Sequence, residues 1–284
     1  MTKTNGVVLI HGAWHDHHTW DNVVPLLEAA GVTVKAIDLP GAGVNAAIPS
    51  SYNTRPLDTA AFGSEPSPNA GVTQEERTAA AIDAVREVNS ATGGKAVVLG
   101  HSLGGLTVSP VAEAIPDEVS AAAYLTAFML APGMVSGQIM GHQLMAEAMV
   151  PSLFLADPAQ VGVMRLDPKS EDPDYVARTK EAFYADLTDD QFATALSHLH
   201  PDEPAKVTGV PSTVTHANYG TVARHFIECI ADNAIVIGGQ REMIRLMDEA
   251  MGDITTVHTM DASHSPFHSQ PQALADIIAS IATP

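Results

Sequence analysis

Ala96-Val-Val-Leu-Gly-His-Ser-Leu-Gly-Gly105 decides the reading of this 284-residue chain. Ala96-Val-Val-Leu99 is an unbroken apolar run, the pattern of a strand buried on both faces. Gly100-His-Ser-Leu-Gly104 follows, and a helical pattern opens at about Gly104. A strand, a tight glycine-bounded turn with a serine at its centre, and a helix are the parts of a nucleophile elbow. The glycines let backbones approach one another, and the serine is left accessible. Chance supplies only about 0.1 such five-residue matches in a chain of this composition, and the strand and helix flanks lower that further.

Outward from this stretch, short β-type runs alternate with helical ones. Val7-Val-Leu-Ile10 predicts a buried strand, residues 20–30 a helix ended by Gly31, and residues 32–37 a second strand. Thr73-Gln-Glu-Glu76 is a capping box opening a helix to about Ala91. Residues 119–125 are a fourth strand. This alternation predicts a mostly parallel, doubly wound α/β sheet with helices on both faces. The rhythm breaks after Ala131. Prolines and helical patches fill residues 131–222, with one helix announced by Thr188-Asp-Asp-Gln191. It returns with strands at 225–230 and 254–259, a helix over 239–251 and a last helix opened by Ser269-Gln-Pro-Gln272. The expected organisation is a core of residues 1–130 and 223–284, with 131–222 inserted as a mostly helical cap. Residues 40–71, rich in Gly, Pro, Asn and Ser, read as a long loop of the functional or mobile kind.

Composition limits the partners. Apolar residues make up 45%, enough for a large core and too many for a disordered chain. Acidic residues number 33 and basic ones 14, a net charge of −19. Such a chain lacks the cations that nucleic acid or an anionic membrane surface requires. Cys229 is the single cysteine. It allows no internal disulfide and reads as a small buried hydrophobe. Met1-Thr-Lys-Thr-Asn5 leads into too short an apolar run for a signal peptide. The longest nearly apolar run, residues 121–131, falls short of the roughly 18 residues of a membrane span. The expectation is a soluble cytoplasmic protein; a homodimer is compatible with it.

A serine needs a base to take its proton. His264, in Asp261-Ala-Ser-His-Ser-Pro-Phe267, lies just past the last predicted strand, whereas His258 lies within that strand and His268 starts the last helix. The base needs a carboxylate to fix its tautomer, and in this chain order the acid lies between serine and histidine. Asp232, following the strand at 225–230, is the choice. Glu228 lies inside that strand, and Asp253 precedes a strand at its wrong end. Acyl transfer also needs donors for an oxyanion. The backbone N–H of Leu103 is one; that of Ala13, in His11-Gly-Ala-Trp14 after the first strand, is the other. Gly12 would let this loop approach substrate closely.

Other features divide between readings. His15-Asp-His-His18 tempts a zinc interpretation, but the spacing fits no two-on-one-face helical motif; an exposed loop accounts for it better, and no metal is expected. His198 and His200 read as surface residues rather than substrate-facing ones. Met129, Met134, Met140, Met145, Met149 and Met164 cluster at the cap entrance and in its first part. Adaptable pocket walls and helical core packing explain them equally well.

The chain as a whole resembles the α/β-hydrolase family, and within it the branch of plant methyl-ester esterases, hydroxynitrile lyases and bacterial pyrethroid-type carboxylesterases. The resemblance is carried by Val8-Leu-Ile-His-Gly-Ala-Trp14, Leu99-Gly-His-Ser-Leu-Gly-Gly105, Tyr124-Leu-Thr-Ala-Phe-Met129, Glu228-Cys-Ile-Ala-Asp232 and Ala262-Ser-His-Ser-Pro-Phe267. It implies the triad Ser102, Asp232 and His264, with Ala13 and Leu103 at the oxyanion hole. Gly12, Trp14, His101, Phe128 and Met129 are the expected substrate-binding residues. Lyases of this branch carry a threonine after the first-strand histidine and a lysine after the catalytic one; Gly12 and Ser265 stand there here. The expectation is therefore a cofactor-free serine carboxylesterase that cleaves a lipophilic or aromatic small-molecule ester through an acyl-enzyme on Ser102. The alternatives are a hydroxynitrile lyase, a cofactor-free carbon–carbon lyase or oxygenase, and a slow-turnover ligand receptor.

Overall fold

The strongly apolar runs become the strands of one sheet in the computed structural model, which describes residues 5–283. Of the Met1–Asn5 segment, all but Asn5 lies outside the described residues. Strands β1 (Val7–Ile10), β2 (Val34–Ile37), β3 (Ala96–His101) and β4 (Val119–Leu125) come from the first half of the chain. Two later strands complete the sheet: β7 (Ala223–Cys229) and β8 (Thr256–Met260). The order is β2-β1-β3-β4-β7-β8, and every pairing is parallel. β1 and β3 are buried at every position, while the edge strands β2 and β8 are partly open to solvent. A parallel sheet must be covered on both faces. Helices α1 (Val24–Ala29) and α11 (Pro271–Ala282) cover one face; α3 (Gln74–Thr92), α4 (Gly105–Ala114) and α9 (Ile237–Met251) cover the other.

Local chemistry sets the boundaries. The capping box at Thr73 forms as read, with Thr73 Oγ1 accepting the Glu76 N–H and Glu76 accepting the Thr73 N–H. The one helix expected over 20–30 is instead a 3-10 turn at His17–Trp20, capped by Asp16, followed by α1. Pro25, in the first turn of α1, starts a new helix because it cannot donate into a preceding one. Residues 40–71 contain 3-10 turns at Gly43–Asn45 and Ser50–Asn53 and the short helix α2 (Thr59–Ser64).

Between β4 and β7 the chain leaves the sheet and forms α5 (Ser136–Met140), α6 (Pro158–Val161), α7 (Pro173–Tyr184) and α8 (Asp189–Ser197). It also contains a two-stranded antiparallel sheet of β5 (Val163–Arg165) and β6 (Asp202–Pro204), which the sequence did not announce. Strands of three residues are too short to show a period. Asp202 and Glu203 of β6 are buried, each against an arginine: Asp202 with Arg165 at 2.7 Å and Glu203 with Arg77 at 2.6 Å. The chain returns through β7, α9 and β8 to α10 (Pro266–Ser269) and α11. No described helix is long and apolar enough to cross a membrane.

Candidate active site

The C-terminal ends of β1, β3, β4, β7 and β8 gather the residues of interest, where an open parallel sheet binds ligands. Ser102 follows β3 with φ +52, a conformation that disfavours side chains and marks the elbow. The turn closes only with glycines around it. A Cβ on Gly100 would lie 2.7 Å from the Gly104 backbone, and one on Gly104 would lie 2.5 Å from the His11 carbonyl oxygen. The β1 loop comes equally close, since a Cβ on Gly12 would lie 2.8 Å from His101 Nδ1 and 2.9 Å from Ser102 Cβ.

His264, in the loop after β8, is buried, and its Nδ1–H donates to Asp232 Oδ2 at 2.6 Å. Asp232 sits just past β7, also buried. Its Oδ1 accepts the backbone N–H groups of Ala234 (2.6 Å) and Ile235 (3.0 Å), and its Oδ2 also accepts the Thr126 hydroxyl. Both carboxylate oxygens are thus occupied and the His264 tautomer is set, leaving Nε2 as the basic nitrogen. The His101 ring lies tilted against that of His264, ring centres 4.6 Å apart, and donates from Nε2–H to the His264 carbonyl oxygen at 2.9 Å. Burial, followed by the neighbouring His264 and His15, keeps the His101 pKa well below the usual histidine value, so this ring stays neutral.

Ser102 opens into a cavity of about 60 Å³ walled by Ala13, Trp14, Leu103, Phe128, Met140, Val150, Met164, Phe183, Ala234 and Ile235. Among the described residues Ser102 contributes the only side-chain hydroxyl, and none of the lining residues is charged. A comparable cavity of about 50 Å³, between α4 and residues 207–214, holds no titratable side chain.

Of the expected substrate-binding residues, Trp14 and Phe128 line the cavity. Gly12, Met129 and His101 do not. Met129 points into the core between the sheet and its helices, because alternate positions after β4 face opposite ways. His101 lies behind Ser102, fully buried. Of the six clustered methionines only Met140 and Met164 reach the cavity, while Met145 packs in the cap core. The loop at His15-Asp-His-His18 is not exposed as expected, since His15 and Asp16 are buried. His200 is held by Asp16, and the His198 ring lies tilted against that of His18. Among the described residues no group of three or more His, Cys, Asp or Glu side chains could hold a metal. The sequence reading missed Thr126, Phe183 and Ile235. Thr126 carried a signal, lying at a strand end beside the elbow, but the others belong to segments without motif.

A profile of the alpha/beta hydrolase family matches residues 7–277, and the chain belongs to that family. It is 29% identical to a pyrethroid hydrolase of Sphingobium wenxiniae over 99% of this chain and 89% of that one. It is 26% identical to methylesterase 9 of Arabidopsis thaliana over 97% of each chain. A crystal structure of a pyrethroid hydrolase superposes with a TM-score of 0.77 at 26% identity, covering 98% of this chain and 97% of that chain.

Proposed function

We propose that the protein is a serine carboxylesterase acting on a neutral, apolar ester. The observation that carries this reading is the buried Asp232–His264 pair beneath an apolar cavity that exposes Ser102 on its elbow. Ser102 Oγ attacks the ester carbonyl as His264 Nε2 takes its proton. The tetrahedral oxyanion is met by the N–H groups of Leu103 and Ala13. The imidazolium, stabilised by Asp232, then protonates the departing alcohol. Water, activated by the same nitrogen, releases the acid. Relatives named as a pyrethroid hydrolase and a methylesterase support an ester substrate. The apolar cavity and the net charge of −19 support a neutral one.

Position 12 weighs against cyanohydrin cleavage. A side chain there would collide with His101 and Ser102, so no hydroxyl can stand where the related lyases carry threonine. At the other position Ser265 is buried and uncharged. The test is hydrolysis of p-nitrophenyl esters from acetate to decanoate, with fluorophosphonate labelling of Ser102. Turnover and labelling that both vanish in Ser102→Ala at unchanged far-UV circular dichroism are expected. Ester turnover that survives Ser102→Ala would overturn the reading.

A further inference from the structure

The loop that carries Ala13 is strained, and side chains from residues 131–222 restrain it. Trp14 has φ +61, a left-handed conformation that is strained for a bulky residue and persists only when its surroundings impose it. Two peptide units are pinned. The Gly12 carbonyl accepts from His11 Nδ1–H at 2.8 Å, and the Leu39 N–H, donating to His11 Nε2 at 3.1 Å, sets that tautomer. In a trans peptide N–H and C=O point opposite ways, so the Ala13 N–H is aimed away from the His11 ring; Ala13 and Ser102 line the same cavity.

The next unit, Ala13–Trp14, is held at both ends. Its carbonyl accepts from His15 Nδ1–H at 2.7 Å, and the Tyr184 hydroxyl donates to His15 Nε2 at 2.8 Å. Its N–H, that of Trp14, donates to Glu203 Oε2 at 3.1 Å. Glu203 is buried and is anchored through Oε1 by Arg77 of α3 at 2.6 Å. Two more bonds hold Trp14: the His200 N–H donates to its carbonyl at 2.7 Å, and its Nε1–H donates to the Met164 carbonyl at 2.8 Å. Tyr184, Glu203, His200 and Met164 all lie between β4 and β7.

We infer that Glu203 and Tyr184 are positioning residues for the oxyanion hole. They hold the Ala13–Trp14 peptide from opposite ends and thereby keep the Ala13 N–H aimed at the developing oxyanion. The inference rests on the esterase reading above. Without these contacts Trp14 relaxes toward negative φ by rotation of that peptide, and Ala13 turns with it. Neither side chain lines the cavity, so their loss should act on the transition state rather than on substrate binding.

The decisive experiment is steady-state kinetics on p-nitrophenyl butyrate for Glu203→Gln and Tyr184→Phe. It is paired with the affinity of an aryl trifluoromethyl ketone, which adds Ser102 Oγ and presents an oxyanion. Glu203→Gln should lower kcat about 10- to 100-fold, part of what a whole oxyanion donor contributes, with KM changed less than about threefold. Ketone affinity should fall by the same factor as kcat. Tyr184→Phe should give a smaller loss of the same kind. Because Glu203→Gln strips Arg77 of its buried partner, the double variant Arg77→Met/Glu203→Leu separates folding from aim. Its Tm should recover toward wild type while kcat stays low. A kcat that recovers with Tm, a loss confined to KM, or unchanged ketone affinity would overturn the positioning role. A wild-type protein that neither hydrolyses the esters nor labels at Ser102 would instead overturn the esterase reading, and this inference with it.

Discussion

Asp232 shows how one side chain joins structure to chemistry. Its Oδ1 closes the turn after β7 on the N–H groups of Ala234 and Ile235, and its Oδ2 receives Thr126 and His264. An asparagine there keeps its one oxygen on the Ala234 and Ile235 N–H groups, so its NH2 faces His264 Nδ1 and imposes the other tautomer. Asp232→Asn is expected to lower kcat by about 10⁴; a rate within tenfold of wild type would place the acid elsewhere. Thr126→Val removes one donor to the carboxylate while preserving shape. A charge-assisted hydrogen bond of this kind is worth about 1.5–3 kcal/mol, so kcat should fall roughly tenfold or more, read in the same assay.

At the scale of elements, close approach of backbones controls what the sequence can vary. α4 packs so tightly on the chain after β4 that a Cβ on Gly105 would lie 2.4 Å from the Phe128 carbonyl oxygen. Neither backbone can yield without shifting the elbow. Gly105→Ala should therefore destabilise by about 1–3 kcal/mol, seen as a lower Tm. Gly137, inside α5, has nothing within 4 Å of the same built atom. There Gly137→Ala should stabilise by up to about 1 kcal/mol through helix propensity. A Tm lowered equally by both substitutions would show that packing at Gly105 is not the cause. The second element-scale joint is Arg165, buried on Asp202 and donating to the carbonyls of Phe62 and Glu65. It ties β5, β6 and residues 40–71 into one unit, so the long glycine-rich stretch is held down rather than loose, and none of it lines the cavity beside Ser102.

The whole molecule carries an acid liability. Burial depresses the pKa of His15 to about 3 and of His268 to about 4, and it lowers those of His11 and His101 as well. The folded chain keeps these rings neutral, whereas the unfolded chain protonates them near the ordinary histidine value of about 6.5. Below that pH the unfolded state binds more protons, so the stability they contribute is complete above about pH 6.5. It is lost as pH falls toward 4 and 3. The net charge of −19 opposes this, because acid relieves self-repulsion; high salt screens that effect. In 0.5 M salt, Tm should drop steadily between pH 6.5 and 4. A Tm flat over that range would mean that these rings take up protons without opening the fold.

The sequence by itself determined the parallel α/β core, the elbow at Ser102, the family, and His264 and Asp232 as the residues to test. These signals are local. Buried strands are apolar runs, caps and tight turns demand particular residue types, and chain order follows sheet order. Tertiary structure alone decided what surrounds them. Met129 faces the core while Phe128 faces the cavity, because direction after a strand depends on the exact exit of the chain. His15, read as exposed, is buried between Ala13 and Tyr184. Glu203 in β6 is buried with Arg77 and the Trp14 N–H, 126 and 189 residues away in the chain, on its two oxygens. Pairings at such separations leave no periodicity in the chain, since they are specified by the shape of the packed core and not by neighbouring residues.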